Sequence, residues 1–252
     1  MNKQFIFEVC CGSVEDVIQA DKNGANRIEL NSALYLGGLT PSIATLIKSK
    51  EITSLPIICM IRSRGAGFNY SKVEIETMLL DAKLLLEHGA DGIAFGSLNT
   101  DYSIDVETTH LFVELAHQYN KEFVFHRAID CTHDIFTSMK ELVNLKVDRV
   151  LTSGTYTTAL EGLKILNKLH QEFGDSIEIL VGGGVNSSNI NQLINLTSCS
   201  QYHSSCKAWF VDPTTSNSTM SYAYGSYPSH YDGVDGSLVE NLSRMLNLIK
   251  KS

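Results

Sequence analysis

Positive charge is in the minority here: 20 Lys and Arg stand against 28 Asp and Glu, for a net charge of -8. Gripping a phosphodiester backbone requires clustered cations, so nucleic acid is excluded as a partner. Small anionic ligands are not excluded, because they respond to the local field of a cleft. Long apolar runs are also missing. No stretch approaches the roughly 18 apolar residues that cross a bilayer, and Glu8 interrupts the start Met1–Val9 before it resembles a signal peptide. A cytoplasmic protein without a membrane partner is therefore expected. The six cysteines, Cys10, Cys11, Cys59, Cys131, Cys199 and Cys206, form no CxxC pattern, and in a reducing compartment they are expected as free thiols. There is no internal repeat and no sign of a second domain, so residues 1–252 read as one unit.

What is present is an alternation. Short apolar, β-branched runs alternate eight times with longer amphipathic stretches. The predicted strands are Phe5–Val9, Arg27–Leu30, Pro56–Ile61, Gly92–Phe95, Glu122–Phe125, Arg149–Leu151, Glu178–Val181 and Gln201–His203. The predicted helices are Val14–Lys22, Ser42–Lys50, Lys72–Glu87, Val106–Gln118, Ile135–Leu145, Ala159–Glu172, Asn189–Leu196 and Leu238–Lys250. Strict alternation implies a parallel sheet with crossover helices. Eight units in 252 residues favour closure into a (β/α)8 (TIM) barrel, typically about 250 residues, over an open doubly wound sheet. Gly24, Gly89 and Gly174 follow helices as left-handed caps would. Ser71 with Glu74 reads as a capping box, and Ser13 with Asp16 as a weaker version. A Ser-, Thr- and Tyr-rich segment, 207–236, separates the last strand from the last helix. A loop of that length is a linker, a lid or an interface arm.

In such a barrel the C-terminal strand ends converge on one mouth, where active sites sit. Here those ends supply Glu8, Cys10 and Cys11; Glu29 and Asn31; Arg62; His126 and Arg127; Gly182-Gly183-Gly184; and His203, Ser204, Ser205 and Cys206. The period of two in a strand puts Glu8 with Cys10, Arg27 with Glu29 and Asn31, and Met60 with Arg62 on inward faces. Charges enclosed this way must pair with each other or with a ligand. One outcome is a structural network in which Glu8 and Glu29 answer Arg27, Arg62 and Arg127. The other is a catalytic set of Glu8, Glu29, Arg62, His126, Arg127 and His203, with the carboxylates and imidazoles moving protons. Gly182, Gly183, Gly184 and Ser205 would then hold a phosphate or carboxylate, since glycines before a helix let amides approach an anion. The same triplet also suits a plain tight turn. No lysine ends strands one to seven, which argues against Schiff-base chemistry. Barrel closure makes strands one and eight neighbours, so Cys10, Cys11 and Cys206 are candidate soft ligands for Cu(I), or simply small buried hydrophobes.

The same strand ends carry a family resemblance. Phe7-Glu8-Val9-Cys10, Gly24-Ala25-Asn26-Arg27-Ile28-Glu29-Leu30, Gly37-Gly38-Leu39-Thr40-Pro41-Ser42, Met60-Ile61-Arg62-Ser63-Arg64, His126-Arg127-Ala128-Ile129-Asp130, Arg149-Val150-Leu151-Thr152-Ser153-Gly154, Ala159-Leu160-Glu161-Gly162, Gly182-Gly183-Gly184-Val185 and Tyr202-His203-Ser204-Ser205 follow in order over residues 5 to 207. The chain thereby resembles the CutC family. The resemblance implies a cytoplasmic barrel protein, a homodimer, linked to copper homeostasis, with Cu(I) as its ion. An enzyme of lyase, isomerase or hydrolase type acting on a small anionic substrate is the alternative. The family commonly has cysteine where Asn31 stands and proline where Ser63 stands.

Overall fold

A computed structural model describes residues Phe5–Ile249. The starting tetrapeptide and the predicted helix end at Lys250 lie outside them. Eight parallel strands close into a barrel in chain order: β1 Ile6–Cys11, β2 Arg27–Leu30, β3 Ile57–Met60, β4 Gly92–Phe95, β5 Glu122–Phe125, β6 Arg149–Thr152, β7 Glu178–Val181 and β8 Gln201–Ser204. β1 closes the ring by pairing with β8, with Glu8 opposite His203, and Arg27 opposite Glu8 on the other side. The helices are α1 Val14–Lys22, α2 Ile43–Ile52, α3 Lys72–Glu87, α4 Val106–Gln118, α5 Ile135–Asn144, α6 Leu163–Phe173, α7 Ile190–Thr197 and α8 Gly236–Ile249.

Most strand residues are buried, which is why runs such as Ile57–Met60 and Gly92–Phe95 read as continuously apolar. Outward residues such as Val9, Cys11, Ile28, Cys59 and Ile93 form the layer shared with the helices. The inner face is divided. From β3 to β7 it is filled by Ile58, Met60, Ala94, Val124, Leu151 and Leu180, above Arg149 at the base of β6. On β8, β1 and β2 it carries Gln201, His203, Glu8, Cys10, Arg27 and Glu29 instead.

Local signals held in most places. Ser71 and Glu74 form the full capping box of α3. Ser13 caps α1, but the Asp16 carboxylate turns away to accept from Gly12 N (2.8 Å) and Val234 N (2.7 Å). Gly24 and Gly89 take the left-handed conformation, with φ of 95° and 99°. Gly174 does not: its φ is -60°, and glycine is required there because a Cβ would meet His170 O at 2.5 Å. The expected long loop contains an antiparallel hairpin, β9 Lys207–Val211 and β10 His230–Val234. Bonds from Val234 N to Asp16 and from Asp235 N to Cys206 O (2.9 Å) pin it over the start of α1.

Candidate functional site

The polar third of the barrel interior is one connected column. At its base Arg149 pairs with Glu122 (3.0 Å) and Glu178 (2.7 Å), and its Nε donates to Gln201 Oε1 (3.1 Å). Gln201 also accepts from Arg27 (2.8 Å), and Arg27 forms a buried ion pair with Glu8. Above that pair, His203 Nδ1 donates to Glu8 Oε1 at 2.8 Å, while its Nε2 stands 4.0 Å from Glu29 Oε2. Asn31 Nδ2 donates to Glu29 Oε2 (2.9 Å) and lies 3.4 Å from Cys10 Sγ. Each arginine of the column has its own carboxylate partner, Glu122 and Glu178 for Arg149 and Glu8 for Arg27, so neither is buried alone.

That order sets the protonation states. Burial opposes ionisation of Glu8, but Arg27 and His203 outweigh it and hold the carboxyl well below the usual range. Burial likewise opposes charge on His203, yet Glu29 and Glu8 together raise its pKa above the ordinary histidine value. The Cys10 thiol is pushed well up, first by burial and then by Glu29. Cys10 Sγ, a Glu29 oxygen and a His203 ring nitrogen lie within 4.8 Å of one another, close enough to share one ion.

The expected meeting of three thiols does not occur. Cys10 faces the barrel axis, but alternation turns Cys11 outward, where its Sγ contacts Val9 O at 3.7 Å. Cys206 also lies in the outer apolar layer, 3.6 Å from Ser204 Oγ. Among the described residues Cys10, Cys11, Cys59, Cys131 and Cys206 are free thiols.

The remaining candidates divide. Arg62 reaches the mouth but is clasped by the carbonyls of Leu36 (3.2 Å), Gly38 (3.2 Å) and Ala66 (2.6 Å) and covers the Phe68 ring. His126 is buried beside Phe68, and its Nδ1 accepts from Ala128 N (3.2 Å). Burial, reinforced by Arg62, brings its pKa down to about 3, so it is neutral. Three atoms of this group are buried without a hydrogen-bond partner: Asn31 Oδ1, Arg62 Nε and His126 Nε2. Arg127 leaves the group, because the chain enters a 3-10 turn, Arg127–Cys131, where side chains three apart eclipse. Arg127 therefore pairs with Asp130 (2.9 Å) and donates to Ser153 Oγ (2.7 Å). Neither Glu8 nor Glu29 answers Arg62 or Arg127 within the described residues. Asp130, which sequence reasoning did not select, also holds Thr152 Oγ1 (2.5 Å) and the amides of Ser153 and Thr155.

Gly183 and Gly184 take φ of 98° and 72°. Their carbonyls serve the fold: Gly183 O accepts from Ala159 N (2.8 Å), and Gly184 O from Asn189 Nδ2 (2.8 Å). A Cβ on Gly182 would strike Leu151 Cδ1 at 2.6 Å. Ser205 is exposed at the rim, while Ser204 Oγ is committed to Val185 O (2.6 Å). Among the described residues, no helix is long and apolar enough to cross a membrane.

Comparison with known proteins gives one answer. The model of the CutC family matches residues 5–208. A CutC family protein of Treponema denticola is 42% identical, over 98% of this chain and 99% of its own length. A human protein named copper homeostasis protein cutC homolog is 38% identical, over 81% of this chain and 74% of its own. The crystal structure of a CutC protein from Streptococcus agalactiae superposes with a TM-score of 0.75 at 28% identity, over 80% of this chain and 99% of that one.

Proposed function

Since this chain belongs to the CutC family, we propose that it works in copper homeostasis in the cytoplasm, taking up Cu(I) as cargo through Cys10 and His203. The supporting observation is the Glu8–His203 hydrogen bond. A carboxylate on one imidazole nitrogen fixes the tautomer and leaves the other nitrogen as the ligand. Here the bond occupies Nδ1, and Nε2 is left on the side of Glu29 and Cys10. Thiolate and imidazole both suit Cu(I), and Glu29 adds a negative charge beside them. The Cys10 thiol is held well above its ordinary value, so uptake displaces its proton. An ion held against such competition stays releasable, as cargo must be. Anaerobic Cu(I) competition titration is the test. Cys10→Ser should lose at least tenfold in affinity and Cys206→Ser should lose nothing; unchanged affinity in Cys10→Ser would sink the proposal. A homodimer is the assembly this reading carries, checked by sedimentation equilibrium.

A second reading, an enzyme on a small anionic substrate, draws on the unpartnered donors Arg62 Nε and His126 Nε2. Buried donors without partners are costly, and an anionic oxygen between them would relieve that cost. A rise in melting temperature with millimolar phosphate or a small dicarboxylate, lost in His126→Asn, is the expected result. No rise with either ion removes this reading.

A further inference from the structure

Leu80 on α3 and Leu111 on α4 stand on the outside of the barrel, 57% and 51% exposed. Between the two helices runs a groove of about 370 Å³, walled by Leu79, Leu80, Leu111 and Leu115. Its charged lining residues, Lys83 and Glu114, are of opposite sign. Both helices already make their core contacts with other residues, α3 through Met78, Ala82 and Leu85 and α4 through Phe112, Val113 and Ala116. An apolar groove that the core does not use marks an interaction surface.

The charges beside the groove say what fits it. Lys72, Glu76, Leu80, Lys83 and Glu87 are all exposed. Residues three and four apart are neighbours on a helix surface, so these five form one stripe along α3. Leu80 and Lys83 put that stripe on the groove side. It extends over most of a 16-residue helix, about 24 Å long.

From the N-terminus the stripe runs plus, minus, Leu80, plus, minus. Turned end over end it runs minus, plus, Leu80, minus, plus. An antiparallel copy therefore meets every charge with its opposite. Lys72 of one copy faces Glu87 of the other, and Glu76 faces Lys83. Each contact occurs twice, as a self-complementary two-fold interface requires. A parallel copy would set like charges together, so the pattern also fixes the orientation. Within the helix, Lys72–Glu76 at 3.8 Å and Lys83–Glu87 at 3.9 Å are too long for hydrogen bonds. These side chains keep their donors and acceptors for a partner.

We propose that two copies of this chain associate about a two-fold axis beside Leu80, each α3 lying antiparallel in the α3–α4 groove of the other. A crossing angle of about 20°, common between packed helices, keeps the charge pairs facing. The interface rests on the homodimer named above and on nothing about copper.

Sedimentation equilibrium of the full chain is the test. The wild type should be a dimer. Leu80→Asp puts two like charges at the axis and should raise the dissociation constant at least tenfold. Val211→Asp, on a hairpin side chain 68% exposed, should leave it unchanged. Glu76→Lys should weaken the dimer at least threefold, and adding Lys83→Glu should bring it back to within twofold of wild type. That recovery requires the two residues to meet across the axis, because the double change gives Lys72 and Glu87 like-charged neighbours within each helix. A dimer left intact by both Leu80→Asp and Glu76→Lys would overturn the interface alone. So would a double variant no tighter than Glu76→Lys, or a dimer lost in Val211→Asp. A monomeric wild type would overturn the interface together with the homodimer and leave the groove to a different protein.

Discussion

His203 is held at Nδ1 by Glu8 across the β8–β1 seam, 2.8 Å away, at the point where the barrel closes. The bond joins the two ends of the barrel sequence, residues 195 apart. It also ties the mouth to the base, because Glu8 is the partner of Arg27, and Arg27 shares Gln201 with Arg149.

Glu8→Gln separates the two roles of that carboxylate. The Arg27 charge would stay buried with only Gln201 to answer it, at a cost of about 3–5 kcal/mol. His203 would keep an acceptor but lose its charged orienting partner, so Cu(I) affinity should fall about 10–100-fold. Urea unfolding and Cu(I) competition measure the two effects independently. A stability loss under about 1 kcal/mol would contradict the buried pair.

Asn31→Cys should act in the opposite direction on the metal. The Asn31 amide nitrogen is 3.4 Å from Cys10 Sγ, so a thiol there adds a second soft ligand beside the first. Cu(I) affinity should rise at least tenfold. Stability should drop by about 1–3 kcal/mol, because Glu29 loses a hydrogen bond in a buried place. Unchanged Cu(I) affinity would mean that Cys10 is not a ligand.

The barrel was legible because its evidence is local and repeated: eight apolar runs, helix caps and a period of two. The same period placed Glu8, Cys10, Glu29 and Asn31 inside. It also separates Cys10 from Cys11, a consequence that grouping all three thiols overlooked. Arg127 was misjudged because strand periodicity ends at His126, and the following 3-10 turn sends its side chain to Asp130; the three-residue Arg-Asp spacing was the available signal. The role of Gln201 between two arginines needed the three-dimensional closure of β8 on β1. The hairpin was hidden for another reason. Residues 212–229 separate its strands, so no short turn sequence marks the pairing.

The loop over the mouth offers a test of packing. Gly38 has φ of 85°, and a Cβ there would fall on Asn31 Oδ1, inside van der Waals contact. Gly38→Ala should cost about 1–3 kcal/mol through backbone strain and should weaken Cu(I) binding by displacing Asn31 from Cys10. Gly67 has no atom within 4 Å of its would-be Cβ, so Gly67→Ala should stay within about 0.5 kcal/mol. Thermal unfolding of the pair checks this, and equal effects would mean that the loop does not press on Asn31.

His126 gives the clearest pH dependence. Its folded pKa is lowered to about 3 by burial and then by Arg62, while an unfolded histidine titrates near about 6.5. Between those values the unfolded chain binds a proton that the native state refuses, so stability rises with pH across the window, by at most about 1.4 kcal/mol per unit. His203 has the opposite sign. Its raised folded pKa contributes stability that is fully present below about 6.5 and fades as pH climbs through the folded value. The depressed Glu8 acts lower still, near and below its unfolded value. The interval from pH 5 to 6.5 is therefore dominated by His126, where about 1.6 kcal/mol should be gained on going up in pH. His126→Asn keeps an acceptor for Ala128 N and cannot charge, so it should flatten that rise. Urea unfolding of the metal-free protein at four pH values measures the slope, and an equal slope in the variant would show that His126 is not held neutral.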